Sequence, residues 1–228
     1  MLTETRAAME EYTMQMHELT KSKEGPVILW CMYPHRPGQL EAVSEAVENA
    51  AGAENYTLIA IQADDWNGDF SPWRAETPDT VFAGGGEKTL EYITNEVIPA
   101  VKAQYGAERE LYIMGYSLAG LFALWACACC ADLFAGAASC SGSLWYPGFA
   151  EFIRSGCSLS EKRIYLSLGG KEANTPDKLM STVADRTREI SDILKKENTV
   201  KFEMNSGGHF ADSGKRLAKA VKWIVGAK

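Results

Sequence analysis

A tight run of small residues between two apolar segments constrains the folding of this chain more than any other feature. Residues 111–114 are apolar, residues 121–128 are apolar, and the hexapeptide GYSLAG at residues 115–120 joins them. The first segment has the length of a buried strand and the second that of a buried helix. A serine on a sharp strand-to-helix turn brings its backbone against both elements, so only small residues fit beside it. The pattern predicts a strand, a turn that exposes Ser117, and a helix.

This turn has two interpretations. In the usual G-x-S-x-G arrangement of an exposed nucleophilic serine, the second glycine would stand where this chain has Ala119, followed by Gly120. We interpret the turn as a variant of that arrangement. A Gly-Ser-Ala run before an apolar helix is also typical of a plain helix start with Ser117 as the N-cap. Partner residues decide between the two, because a serine nucleophile needs a base within reach.

The composition indicates an ordinary globular protein. The chain has 228 residues, of which 46% are hydrophobic and 23% charged, and this fits one domain over residues 1–228. A net charge of -7 argues against nucleic acid as a partner. No apolar run reaches membrane-spanning length, and the N-terminal residues lack the order of a signal peptide. We therefore expect a cytoplasmic protein with no membrane partner.

Strand and helix patterns alternate along the chain. A leading helix over residues 1–24 is predicted from the spacing of Met9, Tyr12, Met16 and Leu19. Strands are predicted at 27–31, 56–63, 111–114, 134–139, 163–168 and 200–204. Helices are predicted at 40–51, 87–105 with a break at Pro99, 118–130, 177–196 and 213–225. This order predicts a three-layer αβα sandwich around a mostly parallel sheet of about six strands, with ligands at the carboxyl ends of the strands.

His209 is the preferred base among the three histidines. It lies in NSGGHF at residues 205–210, directly after the last predicted strand, where the glycines allow the ring to turn back over Ser117. His17 falls in the predicted leading helix, where we interpret it as a solvated residue or one at the edge of the apolar face. His35 follows the first strand.

The acid of a serine–acid–histidine relay on such a sheet follows the next-to-last strand. Glu172, in GGKE at residues 169–172, stands at that point, and Asp177 and Asp185 remain alternatives. A carboxylate there would fix the tautomer of His209.

A tetrahedral intermediate needs two hydrogen-bond donors for its oxygen. The N–H of Leu118, directly after the serine, is one candidate. The loop after the first strand offers Met32 or Tyr33 as the other.

With these pieces in order, the chain resembles α/β-hydrolases of the putative esterase group, which includes esterase D-like enzymes and enterobactin-type siderophore esterases. The resemblance runs from about residue 27 to the C-terminus and rests mainly on residues 115–120 and 207–210. It implies hydrolysis of a small-molecule ester through an acyl-serine, with no metal or organic cofactor. Because a helix is predicted directly before Val27, the leading antiparallel strands of larger relatives are expected to be absent.

The loops on the substrate side are rich in aromatic residues. Residues 64–86 show no clear period and predict a long loop, and loops of that length usually carry function. Trp66, Trp73 and Trp145 are the candidate substrate-binding aromatics, and His35 joins them. Such a set suits an aromatic or sugar-bearing acyl ester.

No metal site is expected, because Cys127 and Cys130 have C-x-x-C spacing in an apolar helix without a second matched pair. Two other functions remain open. One is a non-catalytic relative that binds a small ligand or a protein partner, and the other is a thioesterase or peptidase with the same triad. The sequence does not fix the oligomeric state, and a homodimer through the leading helix is one alternative.

Overall fold

A seven-stranded sheet forms the centre of the protein. The computed structural model describes residues 14–33, 37–156 and 159–226. The strands are β1 (Gln15–Thr20), β2 (Val27–Met32), β3 (Thr57–Gln62), β4 (Ala75–Glu76), β5 (Val81–Phe82), β6 (Leu111–Tyr116), β7 (Gly136–Cys140), β8 (Arg163–Gly169) and β9 (Thr199–Asn205). The order in the sheet is β1-β3-β2-β6-β7-β8-β9, and β4 and β5 form a separate hairpin. Every pair in the large sheet is parallel except β1 with β3, so the predicted α/β fold is confirmed.

Helices cover both faces of this sheet. They are α1 (Gln39–Ala51), α2 (Trp66–Asp69), α3 (Gly86–Tyr92), α4 (Ile98–Tyr105), α5 (Leu118–Cys129), α6 (Phe149–Arg154), α7 (Val183–Leu194) and α8 (Ser213–Val225). A π-helical turn, Ile93–Val97, joins α3 to α4. Pro99 explains this turn, because a proline has no N–H for the preceding helical turn and its ring clashes with the carbonyl four residues earlier. Within the described residues, none of the helices has the length and apolar character needed to cross a bilayer.

The strands alternate their side chains between two hydrophobic layers. Ile28 and Trp30 of β2 pack with α1 and α8 on one face, whereas Leu29 and Cys31 pack with α5 and the other helices on the opposite face. Strands that are buried on both faces consist of continuous apolar residues, which is why β2 and β6 could be predicted from the sequence. The result is the predicted three-layer arrangement.

The predicted leading helix is wrong over the residues that the structure describes. Residues Gln15–Thr20 form β1, which pairs antiparallel with β3, so a leading antiparallel strand is present and the sheet has seven strands rather than about six. Met16 is 46% exposed instead of facing a core. The edge of β3 supplies backbone partners to β1, and that long-range pairing outweighs a helical spacing of only two residues, Met16 and Leu19. The earlier residues of the predicted helix lie outside the described ones.

The segment over residues 64–86 is more ordered than the sequence predicted, since it holds α2 and the β4–β5 hairpin. The buried carboxylate of Asp69 accepts the N–H groups of Asp64 and Asp65 at 3.1 and 2.9 Å. The Asp65 side chain caps α2 by accepting the Asn67 N–H at 3.1 Å. These bonds fix the start of α2 and therefore the position of Trp66.

Candidate active site

Ser117 lies on the turn between β6 and α5 with an unusual backbone. Its φ is 58° and its ψ is -122°, a backbone conformation that residues other than glycine rarely adopt. The Ser117 N–H donates to the Cys140 carbonyl at 3.0 Å, and its carbonyl accepts the N–H groups of Gly120 and Ser143, each at 3.0 Å. Its side chain makes no capping bond to α5, so the geometry favours the exposed-serine interpretation over the plain N-cap.

The small residues around Ser117 are required by contact. A Cβ at Gly115 would lie 2.2 Å from the Ala119 carbonyl oxygen and 2.8 Å from the Ala119 methyl carbon. One at Gly120 would lie 3.0 Å from the Gly115 oxygen and 3.2 Å from Cα of Gly142. Ala119 therefore fits in place of the usual glycine because the residue facing it, Gly115, has no side chain.

The structure brings Ser117, His209 and Glu172 together. His209 Nε2 lies 2.9 Å from Ser117 Oγ, and His209 Nδ1 lies 2.7 Å from Glu172 Oε2. Because an ionised carboxylate can only accept, Nδ1 carries the proton and Nε2 is left to accept from the serine hydroxyl. The loop that carries Glu172 follows β8, and the loop that carries His209 follows β9. These loops lie side by side because Gly169 at the end of β8 pairs with Asn205 at the end of β9.

Glu172 is held as a carboxylate. Burial raises the pKa of its carboxyl, but hydrogen bonds from His209 and from the Gly169 N–H outweigh burial and hold that pKa below its usual range. The Gly169 N–H donates to Oε1 at 2.6 Å. Only 3% of the Glu172 side chain is exposed, compared with 30% of the His209 side chain.

The two alternative acids have other partners. Asp177 Oδ1 accepts the N–H groups of Leu179 and Met180, both at 2.8 Å. The Asp185 side chain is 89% exposed and pairs with Arg188 at 3.4 Å. Neither carboxylate makes a described hydrogen bond with His209.

The other histidines lie away from this site or outside the description. His17 is on β1 at the edge of the sheet, and β3 and β2 separate that strand from β6. His35, predicted to contact substrate, lies outside the described residues.

A cleft of about 900 Å³ opens above Ser117 and His209. Its aromatic walls are Trp30, Tyr33, Trp66, Tyr116, Trp145 and Phe210. Phe210 is 92% exposed and lies against the His209 ring, with 5.0 Å between the ring centroids. Sequence reasoning did not propose Phe210 as a contact residue, although it directly follows the predicted base.

Trp73 is not part of this cleft, so the prediction that it contacts substrate is not supported. Its Nε1 donates to the Pro147 carbonyl at 2.9 Å, and its ring packs against Tyr146 and Phe149 at centroid distances of 5.9 and 6.4 Å. Trp66 and Trp145 do line the cleft. Loop composition does not distinguish these tryptophans, because each lies in a loop segment with polar neighbours.

Two polar residues that were not among the predicted site residues also lie close to the Ser117–His209–Glu172 row. Ser143 Oγ is 3.4 Å from Ser117 Oγ. Arg216 Nη1 donates to Glu172 Oε1 at 2.6 Å from a side chain that is 2% exposed. A signal for Arg216 was present in the sequence, since it lies on the apolar face of the predicted C-terminal helix beside Leu217 and Ala220.

Known proteins resemble this chain over most of its length. A family model described as "Esterase: Putative esterase" matches residues 18–223. The uncharacterized protein YbbA from Bacillus subtilis (strain 168) is 26% identical over 201 residues, which are 82% of this chain and 80% of that protein.

Solved structures share the fold. An IroE-like serine hydrolase from Shewanella oneidensis superposes with a TM-score of 0.70 at 16% identity, over 92% of this chain and 79% of that one. The siderophore hydrolase EstA from Aspergillus nidulans gives a TM-score of 0.65 at 17% identity, over 97% of this chain and 99% of that one. The family model is matched from β1 to α8, so the chain belongs to the putative esterase family, whose reaction is ester hydrolysis by a serine hydrolase.

Proposed function

We propose that this protein hydrolyses carboxylic esters with Ser117 as nucleophile, His209 as general base and then acid, and Glu172 as the orienting carboxylate. The observation that carries the proposal is the continuous row of contacts from Glu172 Oε2 to His209 at 2.7 Å and from His209 to Ser117 Oγ at 2.9 Å. Family membership supports the reaction class independently of this geometry.

The proposed reaction has two halves. Ser117 Oγ attacks the ester carbonyl carbon while its proton passes to His209 Nε2, and Glu172 stabilises the imidazolium that forms. The tetrahedral intermediate collapses, the bond to the alcohol oxygen breaks, and His209 returns the proton to that oxygen. Water then attacks the acyl-serine with the same proton transfers, which releases the acid and restores Ser117.

Two backbone N–H groups are proposed to bind the oxyanion. The first is that of Leu118, which begins α5 and has no acceptor within its own helix. For the second, Tyr33 is favoured over Met32. The Met32 carbonyl accepts the Ala63 N–H at 2.9 Å on the β3 side. Because the N–H and carbonyl of one strand residue point to the same side, the Met32 N–H also faces β3 and not Ser117. The next amide, that of Tyr33, therefore points toward β6 and Ser117.

The cleft supports a small ester with an aromatic group as substrate. Its walls include three indole rings and the exposed ring of Phe210, which favour flat apolar groups. Lys171 adds a cation at the rim. The name of EstA, a siderophore hydrolase, makes siderophore-type esters reasonable members of the first substrate panel.

Ser117→Ala tests the nucleophile. The variant should lose at least about 10³-fold in kcat on p-nitrophenyl acetate, because no acyl-enzyme can form, while its circular dichroism spectrum stays that of the wild type. When the wild-type protein is treated with a fluorophosphonate probe, mass spectrometry should place the adduct on Ser117.

Ser155→Ala is the matched control, since Ser155 is exposed at the end of α6 and its hydroxyl donates to the Phe152 carbonyl at 2.9 Å. It should keep wild-type activity and labelling. Undiminished turnover by Ser117→Ala, or a probe adduct on another serine, would contradict the proposal. Retained binding of an aromatic ester without turnover by the wild type would favour the non-catalytic alternative.

A further inference from the structure

A buried arginine lies behind the candidate acid. Helix α8 carries Arg216 on its apolar face, where the residue is 1% exposed. Its Nη1 donates to Glu172 Oε1 at 2.6 Å, to Ser141 Oγ at 2.7 Å and to Tyr116 Oη at 3.2 Å. A charged group this deeply buried is costly unless it is paired and hydrogen-bonded, and Glu172 supplies the opposite charge.

The same guanidinium also holds the loop that carries the base. Its Nη2 donates to the carbonyls of Ser206 at 3.0 Å and of Gly208 at 2.8 Å, which lie on the N-terminal side of His209. The Tyr116 hydroxyl donates to the His209 carbonyl itself at 2.5 Å. Arg216 therefore joins the acid, the loop of the base and the residue next to the nucleophile.

The main chain leaves space for this guanidinium. A Cβ at Gly169, the last residue of β8, would lie 2.6 Å from Arg216 Nη2 and 2.6 Å from the Gly207 carbonyl oxygen. Glycine at this position thus permits the contact between the arginine and the two loops, and the Gly169 N–H bonds Glu172 at the same time.

We propose that Arg216 is a positioning residue of the proposed esterase site: its charge keeps Glu172 ionised, and its five hydrogen bonds hold Glu172 and the His209 loop in register with Ser117. The inference rests on the proposed function. Arg216 does not touch substrate, because it lies behind Glu172 and does not line the cleft. It acts through the Glu172–His209 pair.

The charge of this cluster comes from few groups. Burial raises the pKa of the Tyr116 hydroxyl and of the Cys140 thiol, each to about 12, so both stay neutral over the working range of an esterase. Beside this cluster, Lys171 is exposed, Glu203 pairs with Lys219, and Asp212 pairs with Lys215. The Arg216 cation, 2.6 Å from Glu172 Oε1, is the charge that we expect to oppose proton uptake by the Glu172–His209 pair.

Arg216→Met and Arg216→Lys separate charge from geometry. For Arg216→Met we expect kcat on p-nitrophenyl acetate to fall roughly 10- to 100-fold with KM nearly unchanged. The acid limb of kcat/KM should also move about one unit to higher pH, because the pair takes up a proton more readily once the neighbouring cation is gone. Arg216→Lys keeps the charge and should lose kcat while its acid limb stays in place.

A double variant keeps the test decisive if Arg216→Met alone does not fold. Glu172→Gln with Arg216→Met leaves neither charge buried without a partner. Because the charge of Arg216 acts through Glu172 and only its bonds to the His209 loop remain to be lost, its substitution should lower kcat less than about fivefold further in the Glu172→Gln background.

Two results overturn the inference. One is an Arg216→Met acid limb that coincides with that of the wild type. The other is a full additional loss of kcat in the double variant. Ser117→Ala is measured in parallel: if it stays active the proposed function fails, whereas if it is inactive and either result above appears, only the role of Arg216 fails.

Discussion

At the scale of single residues, the candidate site depends on which of three carboxylates faces His209. Glu172 has the contact, Asp177 caps the turn before α7, and Asp185 is on the exposed side of α7. An amide in place of the carboxylate would accept from Arg216 but would no longer favour the Nδ1–H tautomer of the histidine.

We therefore expect Glu172→Gln to lower kcat roughly 10³-fold, with a much smaller change in KM, in assays with p-nitrophenyl acetate. Asp185→Asn is the matched control, since it removes an exposed carboxylate from α7, the next α-helix after the loop that carries Glu172. It should keep wild-type kcat. The reverse ranking of the two variants would move the acid to Asp185.

Sequence order was enough to propose Ser117, Glu172 and His209, because strand ends in a parallel sheet share one edge. It was not enough for Trp73 or Arg216. Whether a loop tryptophan faces a cleft or the core depends on tertiary partners, here the Pro147 carbonyl and the Tyr146 ring. The pairing of Arg216 with Glu172 spans 44 residues, and no local pattern encodes it.

At the scale of elements, the contact between the end of β6 and the first turn of α5 sets the position of Ser117. Because Gly115 has no side chain, the Ala119 backbone can lie close to it. The sequence predicted this pairing of elements because both are continuously apolar and the turn is short.

Gly115→Ala should destabilise the fold by about 2 kcal/mol or more, since the new methyl would overlap the Ala119 carbonyl. Chemical denaturation measures this loss, and activity should fall with it as the serine shifts. Ala119→Gly is the matched control and restores the usual pattern without a new contact, so its activity should stay within about threefold of wild type. Equal stability of Gly115→Ala and wild type would show that the turn adjusts freely.

The buried strands β2 and β8 and the amphipathic helix α8 were predictable within one or two residues. The edge strand β1 was not. Its exposure pattern has no clean alternation, and what makes it a strand is the neighbouring β3 rather than its own composition.

At the scale of the whole molecule, the ionised carboxylates link stability to pH. Burial raises the pKa of Glu172, and hydrogen bonds from His209 lower it by more, so the folded protein holds this pKa below its unfolded value of about 4.5. The Glu203 pKa is lowered in the same way, with Lys219 and Lys201 outweighing burial. Between the folded and unfolded pKa values the unfolded chain binds more protons, so stability rises with pH there.

The stabilisation is therefore fully present above about pH 4.5 and is lost as pH falls through the folded pKa. We expect Tm to be level near neutral pH and to decline below that point. Glu172→Gln should start from a lower Tm, and its acid decline should be shallower because one of the linked groups is gone. Differential scanning calorimetry from pH 7 to pH 3 measures both. Parallel curves for the two proteins would contradict a lowered Glu172 pKa.

The left-handed backbone of Ser117 has a consequence for how this chain can evolve. Residues other than glycine pay about 1 kcal/mol or more to hold such a conformation, and the serine side chain contributes no capping bond in return. Glycine at residue 117 would relieve that cost and remove the hydroxyl in one step. With Ser117 as the proposed nucleophile, selection for heat resistance alone would favour inactive descendants, and serine at this position would represent a trade-off in which reactivity outweighs robustness.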